Sequence, residues 1–240
     1  MTNNNYIDNY VVFDLETTGC NPVNDYIIEI GAIKIENGEI HSVYNQMINP
    51  KIAIPPLITN ITGITNDMVK DKPTIDEVLE DFLVFCKEDY ILGHNISFDY
   101  RFIKAKCYKR GYSFNKKAFD TLEIARKSLK DLPSRSLGAL CEYYGIELSH
   151  AHRAMHDALA THKLFQCLKK DFFELNPSLF KAKDMVWTPP KMEKITDRQR
   201  KYLLSLIRTH KIDFSKDIDS LTKSEASRVI DKILTEYRYK

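Results

Sequence analysis

An Asn37-Gly38 dipeptide lies between two apolar runs of the sequence. Asn-Gly accepts the positive φ angles of a two-residue hairpin turn, so it predicts a tight connection between antiparallel strands. The flanking runs, residues 26–35 and 40–48, are rich in β-branched residues and are predicted strands. Residues 10–15 form another β-branched and aromatic run, which is typical of a central strand. We therefore expect three antiparallel strands at the start of the domain.

The hydrophobic period becomes helical after residue 73. Thr74 followed by Glu77 forms a capping-box sequence, and Val78, Phe82 and Leu83 continue an apolar stripe at helical spacing. A short apolar strand is predicted over residues 90–93, and further helices over residues 98–109, 121–130, 136–144 and 154–173. Strands followed by strand–helix alternation indicate an α/β fold in which helices flank a mixed sheet.

Three regions are predicted along the 240 residues: a domain over 1–175, a linker over 176–195 and a small helical module over 196–240. The predicted linker contains three prolines and has no hydrophobic period. Up to residue 175 the formal charge is −4, whereas residues 176–240 carry +6. A basic segment attracts phosphate groups, but an ordinary solubilising surface explains the same charge. The role of the basic module stays open.

Composition excludes several classes of protein. Hydrophobic residues make up 43% of the chain and charged residues 28%, so the chain can form a core and is not disordered by composition. The five cysteines include no CxxC pair, which argues against a disulfide framework and against a zinc ribbon. The first residues do not resemble a signal peptide, and no apolar run approaches the about 18 residues of a membrane helix. We expect reduced thiols, no membrane partner and a cytoplasmic location.

Two carboxylates at the end of the first predicted strand point to metal chemistry. Asp14 and Glu16 are two residues apart, so they project from the same face of the strand. Because buried carboxylates repel each other, such a pair favours a bound cation, and oxygen ligands suit Mg²⁺ or Mn²⁺. The alternative is a pair of solvated acids at a sheet edge, and a DxE pattern alone is weak.

Two later segments add further carboxylates and histidines. Residues 94–99 (HNISFD) follow the short strand and place Asp99 near a helix start, where an isolated aspartate is more often a cap. Residues 152–158 (HRAMHDA) place Asp157 about one turn into the long predicted helix, with His152 on the loop before it. A single loop histidine is more often a surface residue, so His152 gains significance only together with the three segments.

The three segments, in the order DxE, HNxxFD and HRAxxDA, resemble the DEDDh family of 3′→5′ exonucleases. The resemblance covers residues 8–174 and is greatest to the proofreading (epsilon) subunits of bacterial DNA polymerase III. It implies a ribonuclease H-like fold with a five-stranded mixed sheet. Each motif alone is unspecific, but their order and spacing make a chance match very improbable.

The resemblance also implies a role for each site residue. Two divalent ions, Mg²⁺ or Mn²⁺, would be bound by Asp14, Glu16, Asp99 and Asp157. Asp14 would contact both ions, and His152 would be the general base, which suits an imidazole because it accepts protons near neutral pH. Contacts with the terminal nucleotide are implied for Leu15, Thr17, Asn95 and Phe98.

The implied function is release of 5′-mononucleotides from nucleic-acid 3′ ends, with DNA proofreading or repair favoured. An exoribonuclease of the same family is the nearest alternative, because the contacts that distinguish the sugars are not visible in a sequence. A non-catalytic nucleic-acid-binding or scaffold protein is the alternative from another class, and the five intact polar positions argue against it. The implied partners are nucleic acid with a free 3′ end and a DNA polymerase or other replication or repair protein.

Overall fold

A computed structural model describes residues 5–148, 152–190, 193–214 and 217–237. The chain divides into two compact units, Met1–Thr188 and Pro189–Lys240. The strands are β1 (Tyr10–Thr17), β2 (Ile27–Glu36), β3 (Glu39–Met47), β4 (Tyr90–Gly93), β5 (Lys117–Asp120) and β6 (Lys183–Asp184). Helices of the first unit are α1 (Pro56–Thr62), α2 (Asn66–Val69), α3 (Ile75–Cys86), α4 (Ser97–Arg110), α5 (Thr121–Ser128), α6 (Leu137–Tyr144) and α7 (Ala154–Phe172). Those of the second unit are α8 (Asp197–His210) and α9 (Lys223–Tyr237).

The sheet of the first unit is mixed and has the strand order β3-β2-β1-β4-β5-β6. β1, β2 and β3 pair antiparallel, as predicted, and both Asn37 and Gly38 adopt positive φ in the turn between β2 and β3. β4 and β5 run parallel to β1, whereas β6 is antiparallel to β5. The fold class is confirmed, but the predicted five strands become six because the two-residue β6 adds an edge.

Side-chain alternation along β1 divides the core into two layers. Val11, Phe13 and Leu15 are buried on the side of the sheet that α3 and α4 cover. Tyr10 and Val12 face the opposite side, where the buried residues of α5, α6 and α7 complete the second layer. Asp14 and Glu16 continue this second face towards the end of the strand, which places them on the side of α7.

Several elements were not predicted as such from the sequence. The turns α1 and α2 have only seven and four residues, and their buried face is a small cluster with Ile28 and Ile54. Strand β5 has four residues, two of them buried, and it is defined by its pairing with β4. Short elements of this kind have too few residues for a hydrophobic period, so pairing and packing decide them.

The predicted linker begins too early. Residues 177–180 form a 3₁₀ helix whose Phe180 is fully buried, with ring centroids 5.9 Å from Phe165 and 5.6 Å from Phe173. The Tyr100 hydroxyl then donates to the Met185 carbonyl at 3.0 Å. This stretch belongs to the first unit because isolated contacts, such as those of Phe180, hold it there. Isolated apolar residues produce no hydrophobic periodicity in the sequence, so the pattern does not predict these contacts. The boundary lies between Thr188 and Pro189 instead.

The second unit contains the helices α8 and α9, both within the residues predicted as a helical module. A capping box precedes each helix: Thr196 pairs with Gln199, and Thr222 pairs with Glu225, in each case through hydrogen bonds in both directions. The helices bury Leu203, Leu206, Ile230 and Ile233 against each other. In the described part of the chain, no helix has the length and apolar character needed to cross a membrane.

Candidate active site

Glu16, His152 and Asp157 meet beside the end of β1. One ligand atom from each of these side chains lies within 4.8 Å of the others. Glu16 and Asp157 are buried, whereas His152 is exposed. The sequence separation of these residues shows that the fold, and not local spacing, brings the first and third motifs together.

The start of α7 shapes the His152 side of this cluster. The backbone N–H of His152 donates to the Asp157 carboxylate at 3.0 Å. His152 has a φ of +65°, a left-handed conformation that costs a non-glycine residue about 1–2 kcal/mol. The other carboxylate oxygen of Asp157, Oδ1, is buried and has no hydrogen-bond partner in the described part of the protein. A buried, unpaired carboxylate oxygen beside another acid is a fit for a cation.

Asp99 joins the site through the neighbouring strand. β4 runs parallel to β1, so α4, which follows β4, begins beside the carboxyl end of β1. Asp99, the third residue of α4, is 4% exposed and accepts a hydrogen bond from the Leu15 backbone N–H at 3.1 Å. Since Leu15 lies between Asp14 and Glu16, this bond fixes Asp99 against the DxE segment.

The pKa values of the four carboxylates are raised because the groups are buried close to one another. Burial raises the pKa of Asp14 well above its ordinary range, and repulsion from Asp99, Asp157 and Glu16 adds to the effect. Burial, followed by repulsion from Asp157 and Glu29, raises the pKa of Glu16 to about 8. The pKa values of Asp99 and Asp157 are also raised, mainly by burial. All four carboxylates can therefore be ionised at the same time only if positive charge lies between them.

The donor set favours hard divalent cations. The four acids offer carboxylate oxygens, and His152 adds an imidazole to the cluster of Glu16 and Asp157. Hard oxygen donors suit Mg²⁺, Mn²⁺ or Ca²⁺ better than they suit soft metals. The orphaned Asp157 oxygen and the repulsion among the acids are therefore consistent with a site for divalent ions.

The four residues predicted to contact the terminal nucleotide lie next to the acids but differ in exposure. Leu15 is 5% exposed and packs in the first core layer, and the buried Thr17 hydroxyl donates to the Gly19 carbonyl at 2.7 Å. Asn95 is exposed and has a φ of +67°. Phe98 is half-buried, and its ring centroid lies 5.0 Å from that of Phe102. Their roles stay predictions.

Two residues at the site, Glu29 and Arg153, were not singled out from the sequence. Glu29, on β2, pairs in register with Glu16, and its side chain is 1% exposed. Its carboxylate accepts from the Arg153 guanidinium at 2.9 and 3.1 Å and from the Ala154 N–H at 3.1 Å. The available signal was the single acid within the apolar segment IIEIGAI, since a charge there requires a partner.

The match to known proteins extends across most of the first unit. The sequence profile of a family described as exonuclease matches residues 11–165. This chain belongs to the exonuclease family. The predicted DEDDh resemblance is thereby confirmed, and the family accounts for the need for divalent metal ions at a site of this type.

Curated relatives of this exonuclease domain include PolC-type DNA polymerases III. That of Caldanaerobacter subterraneus subsp. tengcongensis is 46% identical over 156 residues, 65% of this chain and 11% of the relative. That of Clostridium perfringens is 42% identical over 159 residues, 66% of this chain and 11% of the relative. That of Bacillus subtilis is 38% identical over 170 residues, 70% of this chain and 12% of the relative. The chain thus spans a small part of the length of these relatives.

Solved structures of exonucleases share the fold. Exonuclease X in complex with 5′ overhanging duplex DNA has a TM-score of 0.56 and 26% identity, over 68% of this chain and 92% of that one. Escherichia coli exonuclease I in complex with a dT13 oligonucleotide has a TM-score of 0.66 and 24% identity, over 72% and 43%. The nuclease domain of 3′hExo, a DEDDh family member bound to rAMP, has a TM-score of 0.60 and 18% identity, over 75% and 98%. These likenesses confirm the predicted ribonuclease H-like fold.

Proposed function

We propose that this chain hydrolyses phosphodiester bonds one at a time from the 3′ end of DNA and releases 5′-mononucleotides. The observation that carries the proposal is the meeting of Glu16, His152 and Asp157 beside Asp14 and Asp99. A family-wide exonuclease match over residues 11–165 supports the same reaction class.

The four carboxylates would hold two divalent ions, Mg²⁺ or Mn²⁺. Glu16 and Asp157, whose oxygens lie together, would share one ion, Asp99 would bind the other, and Asp14 would contact both. Bound there, the ions would supply positive charge to the scissile phosphate and to the oxygens that attack and leave it.

His152 is the proposed general base. Its side chain is exposed next to Glu16 and Asp157, so its imidazole is accessible to a water molecule entering the site, whereas the carboxylates would be engaged by the ions. Proton transfer of this kind contributes about 10²–10⁴-fold to a rate. Leu15, Thr17, Asn95 and Phe98 would orient the terminal nucleotide, since they lie on the same strand end and helix start as the acids.

DNA is the favoured substrate because the PolC-type relatives, at 38–46% identity, are DNA polymerases. The alternative is an exoribonuclease, since the structurally similar 3′hExo domain was solved with rAMP. We further propose that the chain acts with a DNA polymerase or another replication or repair protein in the bacterial cytoplasm. This proposal is supported by the PolC-type relatives, in which the matched segment is 11–12% of the length of a DNA polymerase.

Matched 5′-labelled DNA and RNA oligomers, incubated with the purified chain and Mg²⁺, Mn²⁺ or EDTA, test this proposal. We expect a ladder that shortens from the 3′ end of the DNA, with metal only, and 5′-mononucleotides as the product. Asp14→Asn and His152→Ala should lower the rate by more than about 10²-fold. The exposed residues Asp71 and His41 provide the control substitutions Asp71→Asn and His41→Ala, which should leave the rate unchanged. Untouched 3′ ends in the presence of either metal would refute the proposal, and faster RNA cleavage would favour the alternative.

A further inference from the structure

Glu29 is a fifth carboxylate beside four that already repel one another. It lies on β2 directly opposite Glu16, and its side chain is 1% exposed. Its charge raises the pKa values of Asp14, Glu16 and Asp157, so it opposes the ionisation of the proposed metal ligands. A buried acid in this position therefore requires another explanation than metal binding.

The hydrogen bonds of Glu29 supply that explanation. One oxygen accepts from Arg153 Nη2 at 2.9 Å, and the other accepts from Arg153 Nε at 3.1 Å and from the Ala154 N–H at 3.1 Å. Both oxygens are thus occupied by α7 and by the residue before it. The planar guanidinium donates one hydrogen bond to each carboxylate oxygen, and this two-point contact fixes the orientation of Arg153 as well as its distance from Glu29.

A second contact presses the same part of α7 against the sheet. Gly31 is two residues beyond Glu29 on the same face of β2 and pairs in register with Asp14. A Cβ atom at Gly31 would lie 2.2 Å from the Met155 nitrogen and 2.3 Å from the Ala154 carbonyl carbon. The first turn of α7 therefore lies in direct backbone contact with β2.

The functional groups lie on either side of this anchored turn. His152 precedes Arg153 and has a left-handed φ of +65°, and its N–H is bonded to Asp157. A left-handed histidine persists only where its surroundings hold it. The Arg153 contact with β2 is adjacent to this strained residue.

We propose that the Glu29–Arg153 ion pair is a positioning device that fixes the turn from which His152 and Asp157 reach Glu16. The proposal rests on the proposed function for what the site does, but the geometry of the turn is independent of it. Glu29 and Arg153 would act through their neighbours, because both Glu29 oxygens already accept hydrogen bonds and the Arg153 guanidinium is bonded to Glu29 at two atoms.

Four variants and one matched control test the pair. Glu29→Gln and Arg153→Gln each remove one charge, Arg153→Lys keeps the charge without the planar fork, and the double variant leaves no unpaired buried charge. The control is Lys34→Gln, because Lys34 is also buried on β2 and pairs with Asp89 at 2.8 Å, at the end of the strand away from Glu16. The steady-state kcat and KM on a DNA oligomer and the thermal unfolding of each protein are measured.

We expect both single Gln variants to lower kcat by about 10–100-fold, as small misplacements of reacting groups do, with KM within about twofold of wild type. The kcat of Arg153→Lys should lie between that of the two Gln variants and that of wild type. The double variant should recover thermal stability but not kcat, and Lys34→Gln should keep kcat. Recovery of kcat in the double variant would overturn the proposal, because the pair would then only stabilise the fold. A raised KM with normal kcat in Arg153→Gln would also overturn it, because Arg153 would then bind the substrate.

Amide hydrogen exchange in EDTA provides a readout that needs no activity. Exchange in a peptide covering residues 152–158 should rise at least about tenfold in Glu29→Gln and stay unchanged in Lys34→Gln. Unchanged exchange in Glu29→Gln would overturn the positioning role. If the wild-type chain proved inactive on every oligomer, the proposed function would fail, while this exchange measurement would still decide whether the pair holds the turn.

Discussion

Replacing one acid of the candidate site should make the metal-free protein more stable. The pKa of Glu16 is raised from 4.5 to about 8, so the folded state keeps a proton that the unfolded state has lost between these pH values. The free energy of unfolding therefore falls as the pH rises from about 4.5 to 8. At about 1.4 kcal/mol for each tenfold change in ionisation, the loss from Glu16 is at most about 5 kcal/mol. Glu16→Gln should remove it.

The assay is urea unfolding in EDTA at pH 5, 6.5 and 8. The single tryptophan, Trp187, packs against the first core layer, so its fluorescence reports the first unit. We expect Glu16→Gln to exceed wild type by about 2–5 kcal/mol at pH 8 and by little at pH 5. Millimolar Mn²⁺ should raise the stability of wild type more than that of the variant, because a bound ion stabilises only the state that binds it.

Glu77→Gln is the control of opposite sign. Hydrogen bonds from Thr74 lower the pKa of Glu77, so this acid contributes stability above its ordinary pKa and loses it as the pH falls through the lowered value. Glu77→Gln should therefore lower the free energy of unfolding at pH 8. If Glu16→Gln were no more stable than wild type at pH 8 in EDTA, burial and repulsion at the site would have been misjudged, and with them the case for a cation.

Four further outcomes follow from the fold of the first unit. Gly31→Ala should prevent stable folding or cost at least about 3 kcal/mol by urea unfolding, because the added Cβ meets the backbone of α7. Tyr10→Phe should cost about 1–3 kcal/mol in the same assay, since it leaves the buried His162, 3.0 Å from the Tyr10 hydroxyl, without that partner. Ending the chain after Thr188 should leave the Trp187 unfolding transition unchanged. Ending it after Leu175 should lower the midpoint of unfolding by circular dichroism, and an unchanged midpoint would restore the earlier domain boundary.

This chain and its PolC-type relatives share one segment. The matched segment corresponds to 11–12% of the length of the PolC-type polymerases. What this chain shares with them is the exonuclease segment. The second unit, Pro189–Lys240, lies beyond the matched residues 11–165. Its basic composition therefore carries no assignment from the family.

Local chemistry determined much of this protein. The Asn37-Gly38 turn, the capping boxes and the apolar periods specify where strands and helices begin, because these signals act over a few neighbouring residues. Spacing along a strand also decided that Asp14 and Glu16 share a face. The order of the three motifs likewise indicates the exonuclease family, because it is a property of the sequence alone.

Tertiary structure decided what those residues could do together. The parallel pairing of β4 with β1 brings Asp99 to the Leu15 N–H, although 84 positions separate them. The contact of α7 with β2 brings Arg153 to Glu29 across 124 positions. The burial of Phe180 likewise moves the domain boundary. Long-range contacts of this kind depend on the free energy of packing the whole sheet and its helices, which no short stretch of sequence contains.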